Sequence, residues 1–285
     1  MTDSSVAVLS LSGYGSLVRW ARGARRQPSH ARPARPGAIT AGRPPDFGAM
    51  SLLRERTDGI EVLRLDRPDK RNALDTATIR ALVDALTSFR EDGEVRVVVL
   101  STTSTAGLCA GADIGEQLDA AGGVARMEAF AELYEAVELV PVPTIAVCVG
   151  SCVGAGAEIA AGCDLRVAGD NLKLVWAGAR LGVPVGPARL TQLVGLSRAK
   201  ELVYTGRPIG GEEAVALGLA TRVVPADEAE AAALELARAL CAQSAPGLRA
   251  LKTMFRDLEG TTARIAHENE LLVDFQRHGA GLPQG

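Results

Sequence analysis

"VGSCVGAGAEIAAGCDLRVAG", residues 149–169, is the stretch whose reading decides the fold. Between Ser151 and Cys163 it holds one charged side chain, Glu158, in a run of small and apolar residues. Small residues at this density serve close packing of backbone on backbone. The preceding "PTIAVCVG" (143–150) is a continuous apolar run and reads as a strand buried on both faces. Gly154 to Gly162 then reads as a short helix, and "CDLRVAG" (163–169) as a further strand. A strand that enters a glycine-rich turn and a helix leaves unpaired N–H groups and a partial positive charge at the turn, a seat for an oxyanion. Glu158 lies one turn inside that helix, on the side of residues 154–155. An anion-stabilising amide and a carboxylate are therefore expected to face one pocket.

The flanking segments alternate strand and helix. "IEVLRLDRP" (60–68) alternates apolar and charged residues, the mark of a half-buried strand. Residues 74–94 form a helix that Asp75 caps and Gly93 ends. "VRVVVLS" (95–101) is a second strand buried on both faces, so the three make one crossover unit. Residues 102–117 are a long small-residue loop ending in a short helix, with Asp113 placed to satisfy that helix's first donors. Residues 123–139 read as an amphipathic helix. From Leu196 on, helical patterns cover 197–205, 211–217, 226–242, 246–257 and 261–276.

Composition excludes several classes. The chain of 285 residues is 47% apolar and 23% charged, as an ordinary globular protein is. Residues 50–285 hold 24 basic and 32 acidic side chains, with no basic stripe for nucleic acid. Residues 1–49 differ: seven Arg, no Lys, two Asp and five of the fourteen Pro. They read as a disordered extension, as an organelle transit peptide, or as a stretch upstream of a true start at Met50. The five Cys (109, 148, 152, 163, 241) and three His (30, 267, 278) have no metal-ligand spacing, so a reduced, metal-free, cytoplasmic protein is expected. The 19 uncharged residues between Glu138 and Glu158 approach the length of a membrane span, but Pro141, Pro143 and several Gly make them a buried strand and helix instead.

The loop "CAGADI" (109–114) offers a second amide. The N–H groups of Ala112 and Ala155 are expected to converge on one oxygen, the geometry that stabilises an enolate or tetrahedral oxyanion from a thioester carbonyl. The segments "DRPDKRNALD" (66–75), "LCAGADI" (108–114), 149–169 and "YTGRPIGGEEAVALGLATRVVP" (204–225) together resemble the crotonase family of enoyl-CoA hydratases and isomerases. The likeness covers about residues 51–276. It implies an α/β fold, a spiral of ββα units over 50–195, followed by a helical trimerisation region over 196–285. It implies an acyl-CoA substrate, no further cofactor, and assembly as a homotrimer or dimer of trimers. Ala112 and Ala155 match the family's two oxyanion amides, and Glu158 matches the first of the hydratase's two catalytic glutamates. Lys70 and Arg71 match the loop that meets the CoA moiety. Ala73, Ala110, Gly111, Asp113, Ile114, Gly154, Gly178 and Arg180 are expected beside the CoA ester.

The chain also departs from that pattern. The second glutamate should fall near Gly178, yet no acid lies between Asp170 and Glu201, and the stretch after it is about three residues short. Hydration divides its proton work between two carboxylates. Arg180, near the missing acid, is expected either to pair with Glu158 or to hold a substrate carboxylate. Hydration of a 2-enoyl-CoA is the first expectation. Decarboxylation of a malonyl-type ester and binding without turnover are the alternatives. A rival from another class is a nucleophile elbow at "GSCVG" (150–154), with Cys152 as nucleophile and Asp227 and His267 behind it.

Overall fold

The structure is a computed structural model that describes residues 51–282, so the expectations for residues 1–49 lie outside the described residues. The chain opens with β1 (Leu52–Thr57), β2 (Ile60–Leu65), α1 (Thr76–Ser88), β3 (Val97–Thr102) and α2 (Ala120–Leu139). The middle holds β4 (Thr144–Cys148), β5 (Ser151–Val153), α3 (Ala155–Gly162), β6 (Leu165–Gly169), β7 (Lys173–Val175), α4 (Gly178–Leu181) and α5 (Pro187–Val194). The rest is α6 (Leu196–Thr205), α7 (Gly211–Ala216), β8 (Arg222–Val224), α8 (Ala229–Cys241), α9 (Ala245–Glu259) and α10 (Thr261–His278).

Six strands form one sheet in the order β1-β2-β3-β4-β6-β8, antiparallel only between β1 and β2. Side chains alternate between its faces with period two. Val97 and Val99 join Ile60, Val62, Ile145, Val147 and Val167 on the face covered by α8. That helix offers Ala229, Ala233 and Ala237, one small residue per turn, which lets it lie close. Val98 and Leu100 point the other way, into the larger core with α1, α2 and α3. Each buried Leu or Val side chain contributes about 1.5–3 kcal/mol, which suits a chain with few aromatic residues.

A second ladder runs beside the sheet. Leu74 bridges Ala112, Cys109 bridges Cys152, β5 pairs with β7, and Leu174 bridges Ile209. Each turn of the chain thus lays one strand in the main sheet and one short extended piece in this ladder. That is the repeated ββα spiral. The pieces are too short for any alternation to show in sequence, which is why β5, β7 and β8 are not predicted from it. Nor are β1, α4 and α5.

One expectation is corrected. No helix follows the 102–111 loop; residues 112–119 are turns and irregular chain. Asp113 caps nothing: its Oδ1 accepts the Gly115 N–H at 3.1 Å and its Oδ2 meets Arg67 at 3.0 Å.

Two glycines hold the spiral tight at one point. A Cβ on Gly156 would stand 2.2 Å from the Cys109 carbonyl oxygen. Gly111, at φ +103°, places a would-be Cβ 3.1 Å from the Val153 oxygen and 4.0 Å from the Ala155 nitrogen. Gly156→Ala is expected to cost about 1–3 kcal/mol, the range for overpacking, seen as a lowered thermal midpoint. The control Gly93→Ala, where a Cβ meets nothing within 4 Å, should leave the midpoint in place. Equal midpoints for both would refute the close-contact account.

Candidate active site

The segment 71–74 lies against 110–113. Ala110 N–H donates to the Arg71 oxygen (3.0 Å), Leu74 N–H to the Gly111 oxygen (2.8 Å) and Asp113 N–H to the Leu74 oxygen (2.8 Å). In such a parallel bridge the residue between the two bonded positions turns its own amide away. Ala112 is that residue, and among the described residues its N–H has no acceptor. Across the gap, Gly154 takes φ +54° and ψ −112°, a conformation that only glycine enters freely, and its N–H goes to the Val175 oxygen at 2.9 Å. Ala155 is the first residue of α3, so its N–H has no intrahelical partner. The close approach at Gly111 brings these two amides to one wall.

That wall belongs to a cavity of about 340 Å³. Ala110, Gly111, Ala112, Gly154 and Ala155 form one side, with Ala73 and Asp113. Lys70, Arg71 and Ile114, all exposed, stand at the rim. The opposite side is apolar: Met127, Phe130 and Tyr134 from α2, Leu181, Val183 and Val185 after α4, and Leu272 and Leu282 from the C-terminal end. Of the expected residues, Gly178 is also in the lining, whereas Arg180 and Glu158 are not.

Arg180 is the clearer correction. It is exposed and donates from Nη2 to the Gly206 oxygen at 2.7 Å. It neither pairs with Glu158 nor reaches the cavity, because the short helix α4 points it outward. Cys152 is corrected as well. It is fully buried, its Sγ is 3.7 Å from the Val149 oxygen, and contact with Cys148 and burial push its thiol well above the ordinary range. His267 is an exposed residue of α10. Nothing there activates a thiolate nucleophile.

Glu158 sits one layer behind the wall, 1% exposed. Its Oε2 accepts from Arg189 Nη1 at 3.1 Å, and the same Nη1 donates to Glu268 Oε1 at 3.0 Å. Arg189 Cζ stands 4.9 Å over the Tyr134 ring, so Tyr134 has the cavity on one side and the guanidinium on its face. Burial raises the Glu158 carboxyl to about 8; Glu268 adds to the rise and Arg189 opposes it. The remaining oxygen, Oε1, and the Trp176 indole nitrogen form no full hydrogen bond among the described residues, but both groups lie beside Gly186 and the indole acts to lower the carboxyl.

Sequence reasoning passes over Glu268. It lies in "HENE" (267–270), a charged run that looks like a solvated face. The available signal is spacing: Ile265, Glu268 and Leu272 fall at helical intervals and are 2%, 6% and 2% exposed. Met127, Phe130 and Tyr134 show the same interval, and their place in the cavity wall is equally invisible without the fold.

Gly178 explains the missing second acid. A Cβ there would stand 2.6 Å from the Val183 oxygen and 3.3 Å from Val185 Cγ1. The chain folds straight back over this position, Val183 N–H donating to the Gly178 oxygen at 2.9 Å. Gly178→Glu is therefore expected to lower the thermal midpoint by several degrees, as a loss of about 1–3 kcal/mol does, and to add no acyl-CoA turnover. A stable, faster variant would show that the position has room for the acid.

The enoyl-CoA hydratase/isomerase family matches residues 55–280. A probable mitochondrial enoyl-CoA hydratase of Arabidopsis thaliana is 34% identical over 202 residues, 68% of this chain and 66% of that protein, so the chain spans about two thirds of that relative's length. A probable enoyl-CoA hydratase of Mycobacterium bovis is 33% identical over 205 residues, 71% of this chain and 79% of that protein. The crystal structure of an enoyl-CoA hydratase from Mycobacterium avium subsp. paratuberculosis superposes with a TM-score of 0.71 at 27% identity, over 79% of this chain and 88% of that one. With the spiral of ββα units and the C-terminal helices already in place, the matches show that the chain belongs to the enoyl-CoA hydratase/isomerase family, whose fold is the crotonase fold.

Proposed function

We propose that the 340 Å³ cavity binds an acyl-CoA thioester with its carbonyl oxygen between the N–H groups of Ala112 and Ala155, and that the enzyme hydrates a 2-enoyl-CoA. The observation that carries the reading is the pair of unpaired amides on one cavity wall. As water adds at Cβ, negative charge builds on the thioester oxygen. Two fixed dipoles in a water-poor site stabilise that charge, each worth on the order of 3 kcal/mol. Lys70 and Arg71 at the rim suit the phosphates of CoA, and the Met127, Phe130 and Val185 wall suits an acyl chain.

Glu158 is the proton-transfer group in this reading. A carboxyl raised to about 8 is largely protonated at neutral pH and supplies the proton that Cα needs, and the carboxylate so formed takes back the proton released by the water that adds at Cβ. It does not line the cavity, and its Oε1 lies 3.4 Å from where a Cβ on Gly186 would stand, so the step requires a local shift, for which the neighbouring segment 183–185 is the candidate. Gly182 (φ +71°) and Gly186 (φ +116°) flank that segment. Decarboxylation of a malonyl-type ester loses its motive, since Arg180 is turned away from the cavity. Binding without turnover is the second reading, favoured by the seclusion of Glu158.

Residues 196–285 supply the proposed trimer surface. The supporting feature is the exposed stripe Leu251, Met254, Phe255 and Leu258 along α9. A cytoplasmic site of action and a role in fatty-acid or related acyl-CoA metabolism belong to the same proposal. Among the described residues no helix is long and apolar enough to cross a membrane.

Mass spectrometry of a mixed acyl-CoA panel tests the reaction. The expected result is a gain of water on 2-enoyl esters, reduced at least about a hundredfold in Glu158→Gln with ester binding retained. Loss of CO₂, or tight binding with every ester returned intact, overturns the hydratase reading. An unchanged rate in Glu158→Gln overturns the role of Glu158.

A further inference from the structure

Glu158 and Glu268 come from helices 110 positions apart in sequence and meet at one nitrogen, Arg189 Nη1, at 3.1 and 3.0 Å. All three side chains are buried. Two ionised carboxylates and one guanidinium would leave a net negative charge away from water, and a buried site relieves that charge by keeping one proton. The hydrogen bonds say where the proton stays. Glu268 has two donors: Arg189 Nη1, and the Ala188 N–H on its Oε2 at 2.8 Å. Ala188 is in the first turn of α5, where the helix dipole favours a negative charge. Glu158 has one donor that forms a full hydrogen bond, while its Oε1 has only the neutral Trp176 indole nearby, without a formed bond. Glu268 is the better hydrogen-bonded of the two carboxyls, and the proton therefore settles on Glu158.

We infer that Glu268 is the second carboxylate of this site, a positioning residue that acts through Arg189 to keep Glu158 in its protonated form. This rests on the reading of Glu158 as the proton-transfer group. Glu268 stands in for the acid that Gly178 has no room to carry, reaching the site from the C-terminal helix instead of from the α4 turn. Its helix also sends Leu272 to the cavity wall, so α10 carries both a wall residue and the charge behind it. The charged and titratable groups facing Glu158 are Arg189 from α5, Glu268 from α10 and Tyr134 from α2, with Cys109 beyond Tyr134. Burial holds Tyr134 and Cys109 neutral, their ionisations raised above the ordinary range. That leaves Glu268 as the anion that competes with Glu158 for Arg189.

The test follows the carboxylic-acid C=O infrared band of the full chain against pH, with Glu158→Gln identifying the Glu158 band. In Glu268→Gln, Arg189 pairs with Glu158 alone. The Glu158 titration is expected to move down by at least one pH unit, a tenfold rise in its ionisation constant. The high-pH limb of the turnover profile should move with it. Glu268→Asp keeps the charge but draws it back from Arg189, and should give a smaller shift in the same direction. An unmoved band in either folded variant overturns the inference. The two readings fail separately. A shifted band with full turnover in Glu158→Gln removes Glu158 from the chemistry and leaves the coupling. An unshifted band with dead Glu158→Gln does the reverse.

Discussion

The contact on which the site depends is carbonyl against glycine. Cys109 lays its carbonyl oxygen over Gly156, and Gly111 lies against the Val153 oxygen. No side chain intervenes at either place. Two loops separated by about forty residues in sequence are thereby held a backbone's width apart, and each contributes one amide to the same wall. An oxyanion hole needs this kind of rigidity. Its donors act on charge that develops during reaction, and they help only when no rearrangement is needed at that moment. The larger core supplies the rigidity, with Leu74, Leu108, Cys109, Cys152 and Ala157 all buried directly behind the wall.

The same dense packing creates the electrostatic problem. A carboxylate inside α3 has no water to ionise into, so it must be paired, protonated or both. Arg189 is the one cation bonded to it, and Glu268 shares that cation. Arg189 also has Nε and Nη2 without partners among the described residues, and it lies over the Tyr134 face. Such a cluster is a poor source of stability, since apolar replacements of equal volume often do as well. Its presence behind a cavity with two free amides is better explained by proton chemistry than by folding.

Much of the spiral is legible in the sequence because its main strands are long enough to carry a pattern. "VRVVVLS" and "PTIAVCVG" become β3 and β4, buried on both faces; the helices over 123–139, 197–205, 211–217, 226–242, 246–257 and 261–276 are recovered within about three residues, and that over 74–94 ends early, at Ser88. The small ladder is not legible: three-residue pieces such as β5 and β7 have no period, and the loop after residue 111 spells a helix start without forming one. The amide wall can be read from residues because glycine-flanked turns constrain backbone, and backbone is what Ala112 and Ala155 contribute. The position of Arg180 and the partnership of Glu268 cannot be read in this way. Both depend on which direction a helix faces after the chain has folded back, and no local pattern fixes that.

The stretch between α4 and α5 ties these departures together. Between Gly178 and α5 the chain brings Val183 onto Gly178 and leaves no volume for a side chain there. At the far end of this stretch, Ala188 and Arg189 near the N-terminus of α5 meet α10 and Glu158. The fold-back at Gly178 thus leaves no room for a carboxylate at the cavity wall, while Arg189 brings Glu268 beside Glu158 behind it. The pocket keeps its polarising wall and its apolar wall, while its acid retreats by one layer.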